Sequence, residues 1–117
     1  MITRQGPLEI VTRRPVGTPR RTPLLFVHGA YTAAWCWDEH FLPHFADAGY
    51  EATALSLSGH GGSPGREYLD LLSLDDYVRD VFEVMDGFDT PPVLIGHSMG
   101  GMVIQKCLEV RQVPAAV

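Results

Sequence analysis

The feature that most constrains the fold of this chain is a short apolar run that leads into a serine flanked by glycines. Residues 92–95 read Pro-Val-Leu-Ile, and Gly96-His97-Ser98-Met99-Gly100 follows directly. Apolar side chains then recur at helical spacing, at Met102, Val103, Cys107 and Val110. The pattern predicts a buried strand, a sharp turn centred on Ser98, and a helix.

A turn this sharp lifts the central side chain out of the sheet and holds its backbone in φ/ψ space that most residues avoid. Such strain is usually retained only for function. Glycine at positions 96 and 100 lets the strand and the helix pack closely, because neither residue has a Cβ atom. The strand–turn–helix context indicates a G-x-S-x-G nucleophile elbow with Ser98 as the candidate nucleophile, rather than an ordinary turn serine.

Composition and charge narrow the possible functions. The chain has 117 residues, a single-domain size, and its net charge of −5 argues against nucleic acid as a partner. No segment is apolar enough to span a membrane or to form the core of a signal peptide, so we expect a cytoplasmic protein with no membrane partner. Cys36 and Cys107 lie in separate segments of the chain and suit reduced thiols better than a disulfide framework.

Arginines crowd the first 21 residues, where the only acidic residue is Glu9. A solvated hairpin with charged edges explains this pattern. A patch for an anionic partner is the alternative, although no aromatic residues are interleaved with the arginines. The arginines are Arg4, Arg13, Arg14, Arg20 and Arg21.

The element pattern predicts an α/β fold, a mostly parallel sheet with helices on both faces. The predicted order is strand, strand, helix, strand, helix, strand, helix. The segments are strands 8–14, 23–27, 51–57 and 92–95, and helices 43–48, 74–86 and 99–110. Ser73 and Asp76 form a capping signal for the second predicted helix, which carries one apolar stripe of Leu74, Tyr77, Val78, Val81, Phe82 and Met85. The glycine-rich stretch 58–65 is expected to be a flexible loop.

Two candidate features follow parallel strands, so they share the sheet edge where α/β proteins keep their sites. One is the Ser98 turn, and the other is the loop that contains Gly29 and Ala30. An oxygen that develops negative charge during acyl transfer requires preorganised N–H donors. The N–H groups of Met99 and of Ala30 are the candidates.

The order of four motifs resembles that of the α/β-hydrolase fold superfamily. These motifs are His28-Gly29-Ala30, Gly49-Tyr50, residues 58–63 (Ser-Gly-His-Gly-Gly-Ser) and Gly96-His97-Ser98-Met99-Gly100-Gly101. The resemblance implies that Ser98 is the nucleophile and that Ala30 and Met99 form the oxyanion hole. It also implies a small-molecule substrate with an ester or similar acyl bond. A serine at position 98 disfavours the branches of the superfamily that use an aspartate nucleophile.

Two local features refine this resemblance. The loop from Ala30 to Trp37 is similar to that of small plant-type esterases and hydroxynitrile lyases, so lyase chemistry on the same fold is one alternative. Family members often carry an acidic residue and a basic residue just before the Gly-His-Gly loop. Ser56 and Ser58 occupy those places here, so the local salt bridge of the family is not expected.

The catalytic set is incomplete in this sequence. In the superfamily the nucleophile is followed by an acidic residue and then by a histidine. The residues after Ser98 include no His, no Asp and one acid, Glu109, within the predicted helix. We therefore expect residues 1–117 to be the N-terminal part of a single α/β-hydrolase domain, an incomplete fold that lacks the C-terminal strands, the lid, and the acid and histidine of the triad. Such a serine hydrolase would be inactive by itself.

The alternatives are a non-catalytic remnant, a ligand-binding relative of the fold, or a base supplied by His28 or His60.

An incomplete fold of this kind would leave the elbow strand, residues 93–95, without its next parallel neighbour. We therefore expect this strand to have an exposed apolar edge that serves as a site of self-association. No cofactor or metal site is predicted. The aromatic side chains at 26, 35, 37, 41 and 45 are expected to form core and pocket wall.

Overall fold

The chain forms a five-stranded sheet, and the computed structural model describes all of residues 1–117. The strands are β1 (Ile2–Gln5), β2 (Leu8–Arg13), β3 (Leu24–Val27), β4 (Ala52–Leu55) and β5 (Val93–Gly96). The helices are α1 (Trp35–Asp38), α2 (Phe41–Asp47), α3 (Leu74–Met85) and α4 (Met99–Leu108), and a 3-10 segment covers Arg66–Leu71. No helix combines the length and the hydropathy that crossing a bilayer demands.

The sheet order is β1-β2-β4-β3-β5, with β3 parallel to both β4 and β5. The N-terminal hairpin β1–β2 is antiparallel and joins the sheet through β4. Val27 is in register with Leu55 on one side and with Gly96 on the other. The C-terminal ends of the three parallel strands therefore meet at one edge, and the prediction of a mostly parallel α/β sheet is confirmed.

Helices cover both faces of the sheet, because the central strands are apolar on both sides. On one face, Leu25 and Val27 pack with buried side chains of α3 and α4. On the other face, Leu24 and Phe26 pack with Trp37 and Leu42 of α1 and α2. Two hydrophobic cores result, separated by the sheet.

Helix α3 begins with the predicted capping box. Asp76 donates its backbone N–H to the Ser73 hydroxyl, and its carboxylate accepts the Ser73 backbone N–H at 2.8 Å. Four apolar residues of the predicted stripe, Tyr77, Val78, Val81 and Met85, are buried. The helix start and its buried face are thus confirmed.

The N-terminal prediction is wrong in one respect, since it omitted β1. This strand pairs with β2 across a turn in which Gly6 has φ +58°, a conformation that favours glycine. The side chains of Ile2, Thr3 and Arg4 are exposed, so the edge strand has no apolar face that a periodicity argument could detect. Most of the nearby arginines have partners in the protein; for example, Arg13 binds Asp38 at 2.8 Å and Arg14 binds Glu51 at 3.0 Å.

The segment between β3 and β4 contains two short helices instead of the predicted single helix at 43–48. Helix α2 begins at Phe41, so Pro43 lies in its first turn. Proline is tolerated there because a backbone N–H in the first turn has no acceptor within the helix. Trp37 is buried, whereas the Trp35 side chain is 63 % exposed. Phe26, Phe41 and Phe45 line an apolar groove of about 650 Å³ beside α2.

The glycine-rich stretch 58–65 does not have the predicted character of a flexible loop. His60 and Ser63 are buried, and the Ser63 hydroxyl donates to the Ser56 carbonyl at 2.6 Å. The backbone N–H of Gly59 donates to the Pro64 carbonyl at 2.7 Å, which closes the loop on itself. The glycines here permit tight turns and close packing against neighbouring elements rather than mobility.

The predicted open edge of β5 is also wrong. Residues 115–117 run parallel to β5 and form a bridge between Leu94 and Ala116. Leu94 donates its N–H to the Ala115 carbonyl at 3.1 Å, and Val117 donates to the Leu94 carbonyl at 2.9 Å. The chain therefore covers this edge with its own residues, which removes the basis for predicting self-association through residues 93–95.

Candidate functional site

Ser98 occupies the turn between β5 and α4 in a strained backbone conformation. Its φ of 55° and ψ of −121° lie outside the regions that ordinary residues populate. A conformation of this kind costs about 1–3 kcal/mol and persists only where the surroundings enforce it. Ser98 is exposed at the C-terminal edge of the sheet, and its side chain makes no capping hydrogen bond with α4.

The surroundings that enforce this conformation are backbone contacts at two glycines. A Cβ atom on Gly100 would lie 2.2 Å from the Val27 carbonyl oxygen and 2.6 Å from that of His28. A Cβ atom on Gly96 would lie 2.7 Å from the Gly100 carbonyl oxygen. The first turn of α4 thus rests directly on the end of β3, and no side chain fits between them.

The loop from β3 to α1, residues 28–34, lies beside Ser98. A Cβ atom on Gly29 would be 3.2 Å from the Ser98 Cβ. Within this β3–α1 loop, the Gly29 carbonyl oxygen accepts the His28 Nδ1–H at 2.6 Å and the Thr32 hydroxyl at 2.9 Å. Because the chain has no cis peptide bonds, the Ala30 N–H points away from that carbonyl. Two hydrogen bonds therefore fix the direction of the Ala30 N–H.

The two candidate donors have no acceptor within the protein. The Ala30 N–H makes no backbone hydrogen bond. The Met99 N–H lies in the first turn of α4, where a backbone N–H has no intrahelical acceptor, and no other acceptor binds it. The structure thus brings together at one edge the three residues that the sequence singled out, Ser98, Ala30 and Met99.

His28 lies below the β3–α1 loop, and both of its ring nitrogens are engaged. Its Nε2 accepts the backbone N–H of Leu57 at 3.0 Å, so the ring proton is on Nδ1, which binds the Gly29 carbonyl. The side chain is fully buried, and burial lowers the pKa of His28 to about 4. This histidine supports the loop and has no free lone pair with which to accept a proton from Ser98.

The other histidines do not form a base–nucleophile pair with Ser98 either. His60 is buried, and its Nδ1 lies 3.0 Å from the Ser58 carbonyl oxygen. Its ring packs 4.9 Å from that of His28 and 5.9 Å from that of Tyr77, measured between centroids. His97 is exposed next to Ser98, and its ring lies beside Gly29. No three His, Cys, Asp or Glu side chains converge as a set of metal ligands.

Two carboxylates that the sequence did not single out bind the serines at positions 56 and 58. The Ser56 hydroxyl donates to Glu9 Oε1 at 2.7 Å. Asp80 of α3 accepts both the backbone N–H and the hydroxyl of Ser58, at 2.7 Å and 2.8 Å. Asp80 is partly buried on α3, and this burial raises its pKa. Asp80 follows Tyr77 by three residues, a spacing that places both side chains on the same face of α3. This spacing is the only sequence feature that indicated the role of Asp80.

Tyr31 is a further residue at the site that the sequence did not identify. Its φ is 62°, the only positive value besides that of Ser98 among the non-glycine residues. The side chain is 85 % exposed, and its ring lies 6.4 Å from that of His60. A bulky residue in this conformation is strained, and little packing offsets the strain. No sequence pattern marks the position.

Comparison with known proteins agrees with this geometry. A model of the alpha/beta hydrolase family matches residues 24–117. Similar proteins include salicylic acid-binding protein 2 of Nicotiana tabacum, 34% identical over 87 residues that make up 73% of this chain and 33% of that protein. Polyneuridine aldehyde esterase of Rauvolfia serpentina is 36% identical over 87 residues, which cover 73% of this chain and 32% of that protein.

Solved structures show the same fold. A thioesterase domain from the curacin biosynthetic pathway superposes with a TM-score of 0.74 at 30% identity, covering 95% of this chain and 41% of that domain. A probable hydrolytic enzyme of Pseudomonas aeruginosa superposes with a TM-score of 0.80 at 24% identity, covering 93% of this chain and 35% of that protein. The chain spans about a third of the length of the curated relatives it matches. With a matching family model and a matching sheet topology, the chain belongs to the alpha/beta hydrolase family.

Proposed function

We propose that this chain carries the nucleophile and the oxyanion hole of a serine hydrolase that acts on small-molecule esters. The observation that carries the proposal is a pair of N–H groups without an acceptor, those of Ala30 and Met99, on residues that adjoin the exposed Ser98 and the Gly29 packed against it. An acyl-transfer site needs a nucleophile together with donors aimed at the developing oxyanion. The methylesterases and the other esterases among the similar proteins support an ester as the substrate class.

In the proposed reaction, Ser98 Oγ attacks the carbonyl carbon of the ester while a base takes its proton. The carbonyl π electrons move to the oxygen, and the N–H groups of Ala30 and Met99 donate to that oxyanion. The tetrahedral intermediate collapses, the alcohol leaves with the proton, and an acyl-serine remains for hydrolysis. Each oxyanion donor contributes about 3–4 kcal/mol of transition-state stabilisation in sites of this kind.

The general base is not among the groups that contact Ser98. Both nitrogens of His28 are occupied, and Nδ1 of His60 faces a backbone carbonyl. We propose that the base and its carboxylate partner belong to the part of the hydrolase fold that these residues do not include, in keeping with the one-third coverage of the relatives. The chain alone is then expected to show no ester turnover beyond the residual level that oxyanion donors supply.

A fluorophosphonate probe with imidazole as an external base tests this proposal. The probe is expected to phosphonylate Ser98 slowly, and imidazole should accelerate the labelling because it removes the serine proton in place of the missing base. Peptide mass spectrometry identifies the labelled residue. The Ser98→Ala variant should not be labelled, whereas the control Ser73→Ala, which removes a serine at the start of α3, should be labelled at the wild-type rate.

Labelling that persists in Ser98→Ala, or an absence of labelling at every imidazole concentration, would contradict the proposal. The second candidate function, a ligand-binding relative of the fold, is favoured by the absence of a base at Ser98. Under that alternative, a small ester binds to the chain but Ser98 stays unlabelled. The two candidates therefore give opposite results in the same assay.

A further inference from the structure

The β3–α1 loop is held at both ends by two consecutive residues that follow β4. At the first end, Leu57 donates its N–H to His28 Nε2 at 3.0 Å. At the second end, Ala34 donates its N–H to the Ser56 hydroxyl oxygen at 3.1 Å. Both Ser56 and Ala34 are fully buried. The position of the Ala30 N–H between these two ends depends on whether both attachments hold.

The second attachment depends on Glu9, a residue of the edge hairpin 47 positions before Ser56. A hydroxyl has one proton, and Ser56 donates it to Glu9 Oε1 at 2.7 Å. With the proton directed at the carboxylate, the lone pairs of the Ser56 oxygen face the Ala34 N–H. Glu9 therefore determines that Ser56 acts as an acceptor for the loop.

The carboxylate of Glu9 is held in place from several directions. Gly62 donates its N–H to the same Oε1 at 3.0 Å. The Glu9 backbone N–H donates to the Ser63 hydroxyl at 2.9 Å. A Cβ atom on Gly61 would lie 2.8 Å from Glu9 Oε1, and one on Gly62 would lie 2.5 Å from Oε2. These glycines leave just enough room for the carboxylate to reach Ser56.

We propose that Glu9 is a positioning residue for the acyl-transfer site, acting through Ser56 and Ala34 on the oxyanion donor Ala30. The proposal rests on the function proposed above. A carboxylate from the antiparallel hairpin thus replaces the acidic residue that the family resemblance leads one to expect at position 56. The Glu9 carboxylate accepts hydrogen bonds from Ser56 and Gly62, and none from Ser98.

Amide hydrogen exchange and ¹H–¹⁵N NMR shifts of the 117-residue chain test this proposal without requiring activity. Glu9→Leu removes the acceptor, so exchange at the Ala34 amide should rise about tenfold and the Ala30 amide resonance should shift. Glu9→Gln keeps a side-chain oxygen for Ser56 and Gly62, and it should restore the wild-type Ala30 and Ala34 signals. Ser56→Ala should reproduce the effect of Glu9→Leu, and it provides a second variant should the first fold poorly.

Two controls separate positioning from general loss of stability. The Met99 amide lies outside the loop, and its exchange should stay unchanged in Glu9→Leu. Glu51→Leu removes a carboxylate whose side-chain partner is the exposed Arg14, and it should leave the Ala30 and Ala34 amides unchanged. With imidazole present, Ser98 labelling should be about tenfold slower in Glu9→Leu and near the wild-type rate in Glu9→Gln.

Unchanged Ala30 and Ala34 amides in both Glu9→Leu and Ser56→Ala would overturn the proposal, and so would a Glu9→Gln variant that behaves like Glu9→Leu. Failure of the proposed function would appear differently. In that case wild-type Ser98 would resist labelling, while the amide measurements would still report whether Glu9 holds the loop.

Discussion

Replacing Gly100 with alanine is expected to lower the free energy of unfolding by about 3 kcal/mol or more. The added Cβ would lie 2.2 Å from the Val27 carbonyl oxygen and 2.8 Å from the Val27 carbonyl carbon. Both are backbone atoms of a central strand, so no flexible side chain can move aside. Urea unfolding followed by circular dichroism measures the change.

The neighbouring glycine provides a matched control. Gly101 lies in the same helical turn, but an added Cβ would meet no atom within 4 Å. Because alanine favours a helix more than glycine does, Gly101→Ala should be neutral or more stable than wild type by up to about 1 kcal/mol. If Gly100→Ala unfolded at the same urea concentration as Gly101→Ala, the close contact between α4 and β3 would be refuted.

Acid is expected to destabilise the fold through His28. Burial lowers the pKa of this histidine from 6.5 to about 4. Between those pH values the unfolded chain binds a proton that the folded chain does not, so stability falls as the pH falls through this window. The loss amounts to about 3 kcal/mol, because each unit of difference in pKa corresponds to about 1.4 kcal/mol.

Asp80 contributes in the opposite direction, since burial raises its pKa and favours the protonated fold at low pH. Comparing variants therefore isolates the contribution of His28. His28→Gln should be less stable at pH 7 but should lose less stability between pH 6.5 and 4 than wild type, as measured by urea unfolding across that range. His44→Gln, a change at an exposed ring on α2, should keep the wild-type dependence on pH. Equal pH slopes for wild type and His28→Gln would contradict this account.

The sequence predicted the elements whose stability derives from their own periodicity. Strands β3 and β5 are apolar on both faces, and α3 carries a stripe together with a capping box at Ser73 and Asp76. Each of these signals is local, and each agrees with the burial that the sheet imposes. The positions of Ser98 and of the Gly29–Ala30 loop at one sheet edge followed from the parallel topology alone.

Features that depend on contacts between distant residues could not be predicted in this way. The link between Glu9 and Ser56 joins residues 47 positions apart, and the covering of β5 depends on only three residues, 115–117. Strand β1 is exposed along most of its length, so it has no apolar alternation to detect. The glycines at 59, 61 and 62 suggested mobility, whereas their missing side chains make room for neighbouring atoms.

The function proposed above requires the Ala30 and Met99 amides to face the position of an oxygen bonded to an acyl or phosphonyl group on Ser98. A crystal structure of the fluorophosphonate adduct tests it most directly. We predict the phosphonyl group on Ser98 Oγ, with one oxygen about 2.7–3.1 Å from both the Ala30 and the Met99 amide nitrogens. An adduct on another residue, or a phosphonyl group on Ser98 with no oxygen in contact with the two amides, would contradict the claim.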